Sequence, residues 1–209
     1  MLSLSSIVIL NGSPSLTSRL MGVIQHAEAY LSAKGYPFQR IDVVKLPADD
    51  LIHTKINGSK IVEANRILAD ADVVIIATPV FQASYTGLLK TFLDTMPQKG
   101  LTGKTILPLH IGGSLAHLLA MDYALNPVLS ALGARHILGG VFSVDTQITR
   151  LESGGMLLAP ELVERLDIAL DELARELDRR SSMWSGAATG ADSPEMCSAL
   201  IGSLGVQIQ

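Results

Sequence analysis

The sequence predicts an α/β protein with a doubly wound, five-stranded parallel sheet covered by helices on both faces. Short apolar runs alternate with segments of helical periodicity, and this alternation repeats five times. Loops rich in Gly, Ser, Thr and Pro follow the first, third and fourth apolar runs. The length of 209 residues fits one domain that can bury most of its apolar surface.

The first predicted unit is a buried strand followed by a helix. Residues 7–10 are continuously apolar, which is typical of a strand buried on both faces, and the run stops at the turn-forming residues 11–14. Apolar side chains then recur at helical spacing over residues 20–31. Thr17 or Ser18 is positioned to cap the start of this helix.

The second and third units repeat the same order. Residues 38–43 predict a strand and residues 55–71 predict a helix. Residues 73–77 form the clearest buried strand in the sequence, and the loop after it extends to Gly87. Residues 88–96 then place apolar side chains on one face of a helix.

The fourth and fifth units complete the sheet. Residues 105–111 and 136–144 predict strands, residues 115–132 predict a long helix, and a final helix begins near Pro160, which suits a first helical turn. Right-handed crossovers and a phosphate-type loop after the first strand favour the flavodoxin-like strand order 2-1-3-4-5. In this order a ligand binds beyond the carboxyl ends of strands 1, 3 and 4.

The predicted helices and strands end at about residue 180. Residues 181–209 are rich in Ser, Gly and Ala, carry few charges and show no sustained periodicity. We therefore expect residues 1–180 to form one domain and residues 181–209 to form a flexible C-terminal extension.

Charge and composition argue against several classes of function. The net charge is −4 and no cluster of Lys and Arg stands out, so neither a nucleic acid nor a membrane is the expected partner. The first apolar run is too short for a membrane span and lacks the basic start of a secretory signal, so we expect a cytoplasmic protein. The single cysteine, Cys197, excludes an intrachain disulfide, and the five histidines lack ligand spacing, so no metal is expected.

The loop after the first predicted strand combines hydroxyls, backbone amides and one arginine. Residues 11–19 lead into a helix, whose N-terminus offers free N–H groups and the positive end of its dipole, and Arg19 can pair bidentately with a phosphate. A phosphomonoester is the expected ligand, and an ordinary turn with a helix cap is the alternative. The loop matches neither GxGxxG nor GxxxxGK[ST], which disfavours a dinucleotide fingerprint and a Walker site.

The two other loops suit a flat ring. Residues 78–90 can present backbone amides and apolar side chains to a polar heterocycle, although Phe81 and Tyr85 could simply anchor the loop by packing. Residues 112–114 are Gly-Gly-Ser and would let the backbone approach a ring closely, although a plain turn uses the same residues. Because the three loops follow adjacent strands, together they are stronger evidence for a ligand-binding site than any one loop is alone.

These loops carry a resemblance to a known family. The sequence resembles the NADPH-dependent FMN reductases in three motifs, which are Gly12-Ser13-Pro14, residues 77–81 with 84–90, and Gly112-Gly113-Ser114 with residues 117–119. Residues 122–132 are most similar to the SsuE-type reductases of alkanesulfonate-utilisation systems. The resemblance extends from about residue 7 to residue 180.

The resemblance implies an enzyme that transfers hydride from NADPH or NADH to FMN and supplies reduced FMN to a separate monooxygenase. It also implies three groups of FMN-binding residues. The phosphate would be held by Ser13, Ser15, Ser18 and Arg19; the isoalloxazine would be bordered by Pro79, Val80 and Phe81 with Ser84 nearby, and by Gly112, Gly113 and Ser114 on its other side. The family position at Phe81 is often tyrosine.

Tyr123 is the predicted oligomer contact. Pro127 lacks an N–H and leaves the carbonyl of Tyr123 without its usual helical partner, which favours a bulge or a helix break. In SsuE-type proteins an inserted tyrosine at this place forms a π-bulge at the tetramer interface, so the resemblance implies a homodimer or homotetramer. The alternative is a buried tyrosine beside a proline kink.

No catalytic side chain is expected, because the nicotinamide and the flavin carry the hydride chemistry themselves. Two other functions remain open. One is a quinone or azo-dye reductase that keeps FMN bound. The other is an electron-carrier flavodoxin, although such carriers are usually strongly acidic and sandwich the ring between aromatic side chains, and this sequence is only 4% aromatic.

Overall fold

A computed structural model describes residues 6–189 and shows one main sheet with helices on both faces. The strands are β1 (Ile7–Asn11), β2 (Phe38–Asp42), β3 (Val73–Phe81), β4 (Ser84–Tyr85), β5 (Thr105–Gly112), β6 (His136–Ile137), β7 (Val141–Val144), β8 (Ile148–Arg150) and β9 (Met156–Leu158). The α-helices are α1 (Leu20–Lys34), α2 (Ala48–Ile52), α3 (Ser59–Ala69), α4 (Gly87–Leu93), α5 (Asn126–Ala131) and α6 (Pro160–Thr189). A π-helix spans Met121–Leu125, and short 3₁₀ helices occupy Val43–Lys45, Leu115–His117 and Asp145–Gln147.

The parallel strands follow the order β2-β1-β3-β5-β6, with β7 also parallel to β5. This confirms the predicted order 2-1-3-4-5, because β5 is the fourth predicted strand, while β6 and β7 together form the fifth. The additional strand β4 pairs antiparallel with β3, and β8 pairs with β9 in a separate hairpin.

The fifth predicted strand is divided because a proline lies opposite it. Ile106 of β5 pairs with Ile137 and its carbonyl accepts from the Leu138 amide at 2.8 Å, but the ladder resumes only at Leu109 and Val141. Backbone groups of residues two apart in a strand face the same neighbouring strand, so the nitrogen of Pro108, like the carbonyl of Ile106, faces the fifth strand. Proline has no N–H to donate there. The edge strand therefore bulges at this point and continues as β7.

Two apolar cores cover the two faces of the sheet. On one face the strands pack against α1 and α6, and on the other they pack against α3, α4 and α5. Side chains of β1 and β3 alternate between these cores, so both strands are apolar along their length. The helices therefore leave the carboxyl ends of the strands as the free edge of the sheet.

Several helices differ from their predicted bounds. The helix predicted at 55–71 is shorter and is preceded by the separate helix α2, and the helix predicted at 115–132 is divided into 3₁₀, π and α segments. Helix α6 continues past residue 180 to Thr189. Most of the predicted extension at 181–209 lies outside the described residues, so its flexibility stays a prediction. No helix in the described part of the chain has the length and apolarity needed to cross a bilayer.

Candidate functional site

The three predicted loops meet at one edge of the sheet. Asn11 pairs with Ala77, and Thr78 pairs with His110, so the carboxyl ends of β1, β3 and β5 lie side by side. The Gly12 amide donates to the Ala77 carbonyl at 2.8 Å, which joins the first loop to the exit of β3. This is the edge at which doubly wound sheets bind their ligands.

Serine hydroxyls hold the first loop in shape. The buried Ser13 Oγ donates to the Ser15 carbonyl at 2.9 Å and accepts from the Ser15 amide at 3.2 Å. Ser18 Oγ lies 3.1 Å from Ser13 Oγ and must be the donor there, because the Ser13 proton is already used. Ser15 Oγ lies 3.1 Å from Thr17 Oγ1 at the exposed rim.

Backbone amides at the start of α1 remain available to a ligand. The helix has Arg19 as its N-cap residue and no side-chain cap, so the prediction that Thr17 or Ser18 caps it is wrong. Both hydroxyls bond within the loop instead. Within residues 6–189, the amides of Leu16, Arg19 and Leu20 have no acceptor, and free amides at a helix N-terminus favour an anion.

A buried carboxylate on the neighbouring strand supports this loop. Asn11 Oδ1 accepts from the Ser13 amide at 3.0 Å, while Asn11 Nδ2 donates to Asp42 Oδ1 at 3.0 Å. Asp42 also contacts Lys45 at 2.8 Å and Arg40 at 3.1 Å. Burial alone would raise the pKa of the Asp42 carboxyl, but hydrogen bonds from Lys45 and Asn11 and the charge of Arg40 hold that pKa below its ordinary value.

Sequence reasoning did not identify Asn11 or Asp42 as site residues. A signal was present, because strand order 2-1-3-4-5 places the end of the second strand beside the end of the first, and Asn11 indeed pairs with Asp42. A polar pair at these two strand ends is a support for the loop that follows. The pair was overlooked because the two residues lie 31 positions apart.

The second loop is a tight β-hairpin. Val80 pairs with Tyr85 and Phe81 with Ser84, and the turn residues Gln82 and Ala83 have φ angles of 48° and 59°. Tyr85 is buried, so it anchors the loop by packing, but the Phe81 side chain is 53% exposed and lies at the free edge. The packing alternative therefore applies to Tyr85 and not to Phe81.

Thr86 joins the hairpin to the first loop. Its Oγ1 donates to the Gly12 carbonyl at 2.6 Å and accepts from the Leu89 amide at 3.0 Å, so it also caps α4. A Cβ on Gly12 would lie 2.8 Å from the Leu89 Cβ. Glycine at this position is therefore required by the close approach of α4.

The two glycines of the third loop have different roles. A Cβ on Gly112 would lie 2.7 Å from Phe142 Cζ, so packing within the protein requires that glycine. A Cβ on the exposed Gly113 would meet no atom of residues 6–189 within 4 Å. No contact among these described residues explains Gly113, whereas the approach of a flat ligand would.

The donor set fits FMN at both ends. Hydroxyls, free amides and Arg19 are suited to a phosphate, while Phe81 and the open backbone at Gly113 are suited to a ring. The structure brings all eleven predicted binding residues to this edge. Ser13, Pro79 and Gly112 are buried; Ser18, Val80 and Ser84 are partly exposed; Ser15, Arg19, Phe81, Gly113 and Ser114 are exposed.

The predicted bulge at Tyr123 is confirmed. Tyr123 lies in the π-helix Met121–Leu125, directly before the helix that contains Pro127. Its side chain is 79% exposed, so the alternative of a buried tyrosine is wrong. The π-helix packs against β4 and therefore lies next to the Phe81 hairpin.

Metal binding has no structural support in the described part of the chain. Within residues 6–189, no three His, Cys, Asp or Glu side chains are grouped so that they could hold a metal ion. Cys197 lies outside the described residues.

The fold and its loop-lined edge place the protein in the flavodoxin-like class of α/β proteins. A family model described as NADPH-dependent FMN reductase matches residues 5–149, and the chain belongs to this family. The FMN reductase (NADPH) of Pseudomonas putida KT2440 is 39% identical over 83% of this chain and 89% of that protein. The FMN reductase (NADPH) of Escherichia coli K12 is 39% identical over 83% of this chain and 91% of that protein.

A solved structure is similar over nearly the same length. The apo form of an NADH:FMN oxidoreductase superposes with a TM-score of 0.72 at 38% identity, covering 80% of this chain and 87% of that one. Family and structural similarity together identify the chain as an NAD(P)H:FMN oxidoreductase, with FMN and a nicotinamide nucleotide as cofactors.

Proposed function

We propose that the protein reduces FMN with NADPH or NADH and supplies the reduced FMN to a separate flavin-dependent monooxygenase of the alkanesulfonate type. The openness of the site carries this proposal. Five of the eleven binding residues are exposed, and Phe81 is the sole aromatic side chain that the three loops present to solvent within the described residues. Such an edge suits a flavin that binds and leaves.

The loops have distinct roles in this proposal. Ser13, Ser15, Ser18 and Arg19 form the FMN phosphate site. The Ser13 and Ser18 hydroxyls hold the loop in shape, while the free amides at the start of α1, the exposed Ser15 hydroxyl and the Arg19 guanidinium are the donors offered to the phosphate. Pro79, Val80 and Phe81 with Ser84 border one side of the ring, and Gly112, Gly113 and Ser114 border the other. The bound cofactors supply the hydride chemistry, so the residues of the chain bind and orient them and no side chain is assigned a catalytic role.

The steady-state experiment measures NADPH and NADH oxidation at 340 nm by the purified protein with free FMN. We expect oxidation that depends on added FMN and saturates with it. A protein that oxidises neither nucleotide in the presence of FMN would contradict the proposal. A protein that needs no added FMN but requires a quinone or azo dye would instead be a reductase with resident FMN.

The monooxygenase partner is tested by reconstitution. A purified flavin-dependent alkanesulfonate monooxygenase is supplied with NADPH, FMN and its sulfonate, with and without this protein. We expect sulfonate oxidation only when the protein is present. Equal oxidation when reduced FMN is generated at the same rate by an unrelated reductase would show that free diffusion of the reduced flavin suffices.

We also propose a homodimer or homotetramer that uses the π-helix face. The π-helix and the segment before it expose several large apolar side chains next to the site, namely Leu115, Leu118, Leu119 and Tyr123. A patch of this kind on a monomer is typical of an interaction surface. The cytoplasm is the proposed compartment, because the single cysteine leaves no intrachain disulfide that a reducing environment would break.

A further inference from the structure

The β8–β9 hairpin lies directly beside the phosphate loop. Arg150 pairs with Met156 across the hairpin, and a Cβ on Gly22 of α1 would lie 2.7 Å from the Met156 Cβ. The hairpin therefore rests against the first turn of α1, close to the free amides at its start. No strand or turn pattern used for the predicted sheet indicates this hairpin.

Two arginines connect the hairpin and the loop in opposite directions. Arg19 Nε, in the loop, donates to the Ile148 carbonyl of β8 at 3.1 Å. Arg150 Nη2, in the hairpin, donates to the Thr17 carbonyl of the loop at 2.6 Å. A guanidinium has five N–H donors, so each arginine keeps four for another acceptor.

Neither guanidinium is neutralised by a carboxylate in the part of the chain that the structure describes. Arg40 contacts Glu28 and Arg66 contacts Asp70, whereas Arg19 and Arg150 have backbone carbonyls as their partners. Both side chains belong to exposed residues. Two cations with free donors thus lie at a loop that already offers amides to an anion, on a protein whose net charge is −4.

We propose that Arg150 is a second phosphate-binding arginine and that, with Arg19, it recognises a phosphomonoester at residues 13–19. The inference rests on the proposed function, because the loop must be a phosphate site. A phosphomonoester carries a charge of about −1.5 to −2 at neutral pH. One arginine with a helix N-terminus supplies about +1.5, which leaves the fully ionised form only partly balanced. Two such groups occur among the cofactors, the 5′-phosphate of FMN and the 2′-phosphate of NADPH.

The test compares ligands with and without the phosphate. Flavin fluorescence gives the Kd for FMN and for riboflavin, and steady-state kinetics give KM for NADPH and NADH. For Arg150→Gln we expect about a 10- to 100-fold weaker affinity for FMN with riboflavin unchanged, as for loss of a charge-assisted hydrogen bond. Arg150→Lys should recover part of the loss, because it keeps the charge but not the forked geometry.

The matched control is Arg135→Gln. Arg135 is also exposed and also donates to backbone carbonyls, those of Ser130 at 3.0 Å and Ala134 at 3.2 Å, but it precedes β6 at the amino edge of the sheet. The control should leave the affinities for FMN and riboflavin unchanged. Circular dichroism of each variant verifies the fold.

The outcomes separate the two phosphates from a structural role. A higher KM for NADPH alone in Arg150→Gln would assign Arg150 to the 2′-phosphate. Equal weakening of the affinities for FMN and riboflavin would overturn the inference. It would also be overturned if the preference for FMN over riboflavin and the ratio of the KM values for NADPH and NADH both matched wild type. Failure of the wild-type protein to distinguish FMN from riboflavin would overturn the phosphate site and this inference with it. The proposed function would fail separately, by the absence of FMN-dependent oxidation of NADPH or NADH.

Discussion

Asp42 shapes a loop to which it does not belong. Its side chain is only 4% exposed, and through Asn11 it fixes the Ser13 amide. Asp42→Asn removes the carboxylate that Lys45 contacts and leaves Arg40 with Glu28, so we expect the free energy of unfolding to fall by about 2 kcal/mol. We expect FMN binding to change less, because the oxygen of an asparagine side chain at this position can still accept from Asn11 Nδ2.

Urea unfolding at pH 7 measures the first effect and FMN fluorescence measures the second. The lowered pKa of Asp42 means that its contribution to stability is present above its unfolded-state pKa of about 3.9 and is lost as pH falls through the folded-state value. The control Asp49→Asn removes an exposed carboxylate that pairs with Lys55, and its stability should match wild type. Equal stability of Asp42→Asn and Asp49→Asn would contradict the role of Asp42.

His110 makes stability depend on pH. The ring is fully buried in β5, neither nitrogen has a hydrogen-bond partner in the part of the chain that the structure describes, and burial lowers its pKa to about 4. The unfolded chain, with a histidine pKa of about 6.5, therefore binds a proton between these values while the folded protein does not. Stability is complete above pH 6.5 and declines as pH falls towards 4.

The expected loss attributable to His110 between pH 7.5 and pH 5 is about 2 kcal/mol. Urea unfolding at both pH values should show this difference between wild type and His110→Leu, which has no proton to bind. Phe142→Leu, at the position paired with His110, should lower stability at both pH values by the same amount. An identical pH dependence of wild type and His110→Leu would refute the assignment.

At the scale of elements, the hairpin that carries Phe81 stores backbone strain in its turn. Ala83 has a φ of 59°, a region that costs a residue with a Cβ about 1–2 kcal/mol. Ala83→Gly removes this strain and adds freedom to the unfolded chain, so we expect a net gain and a rise in Tm of about 2 °C. Ala48→Gly, at the exposed start of α2, should lower Tm instead. Differential scanning fluorimetry measures both Tm values. A fall in Tm for Ala83→Gly would contradict the claim that the backbone at Ala83 is strained.

Helices and strands could be predicted from the sequence where a single hydrophobic pattern dominates a segment. The strands at residues 7–10 and 73–77 were clear because buried parallel strands are continuously apolar. The turn at Gln82 and Ala83 could not be found from turn residues, because neither residue normally favours positive φ. The β8–β9 turn carried a readable signal in Gly154 and Gly155, which have φ angles of 88° and 90°, but it was overlooked.

At the scale of the whole molecule, strand order made the site predictable. A parallel sheet in the order 2-1-3-4-5 brings three loops together wherever their residues lie in the chain. The supports of the site could not be found in the same way. The bonds of Asp42, Thr86 and Arg150 join segments distant in sequence, and no local pattern marks such contacts.

Assembly is also tested at this scale. Tyr123→Ser removes the most exposed apolar ring on the π-helix face, so we expect a smaller mass by light scattering after size-exclusion chromatography. Val62→Ser replaces an exposed apolar side chain on α3 and should keep the wild-type mass. A wild-type protein that is monomeric, or a Tyr123→Ser variant of unchanged mass, would contradict an interface at the π-helix.

The binding edge itself is tested most directly by a crystal structure of the protein with FMN. We expect the phosphate within hydrogen-bonding distance of the Ser13 to Arg19 loop, and the ring between the Phe81 hairpin and Gly113. Flavin bound at any other surface, with this loop closed by its own side chains, would contradict the account.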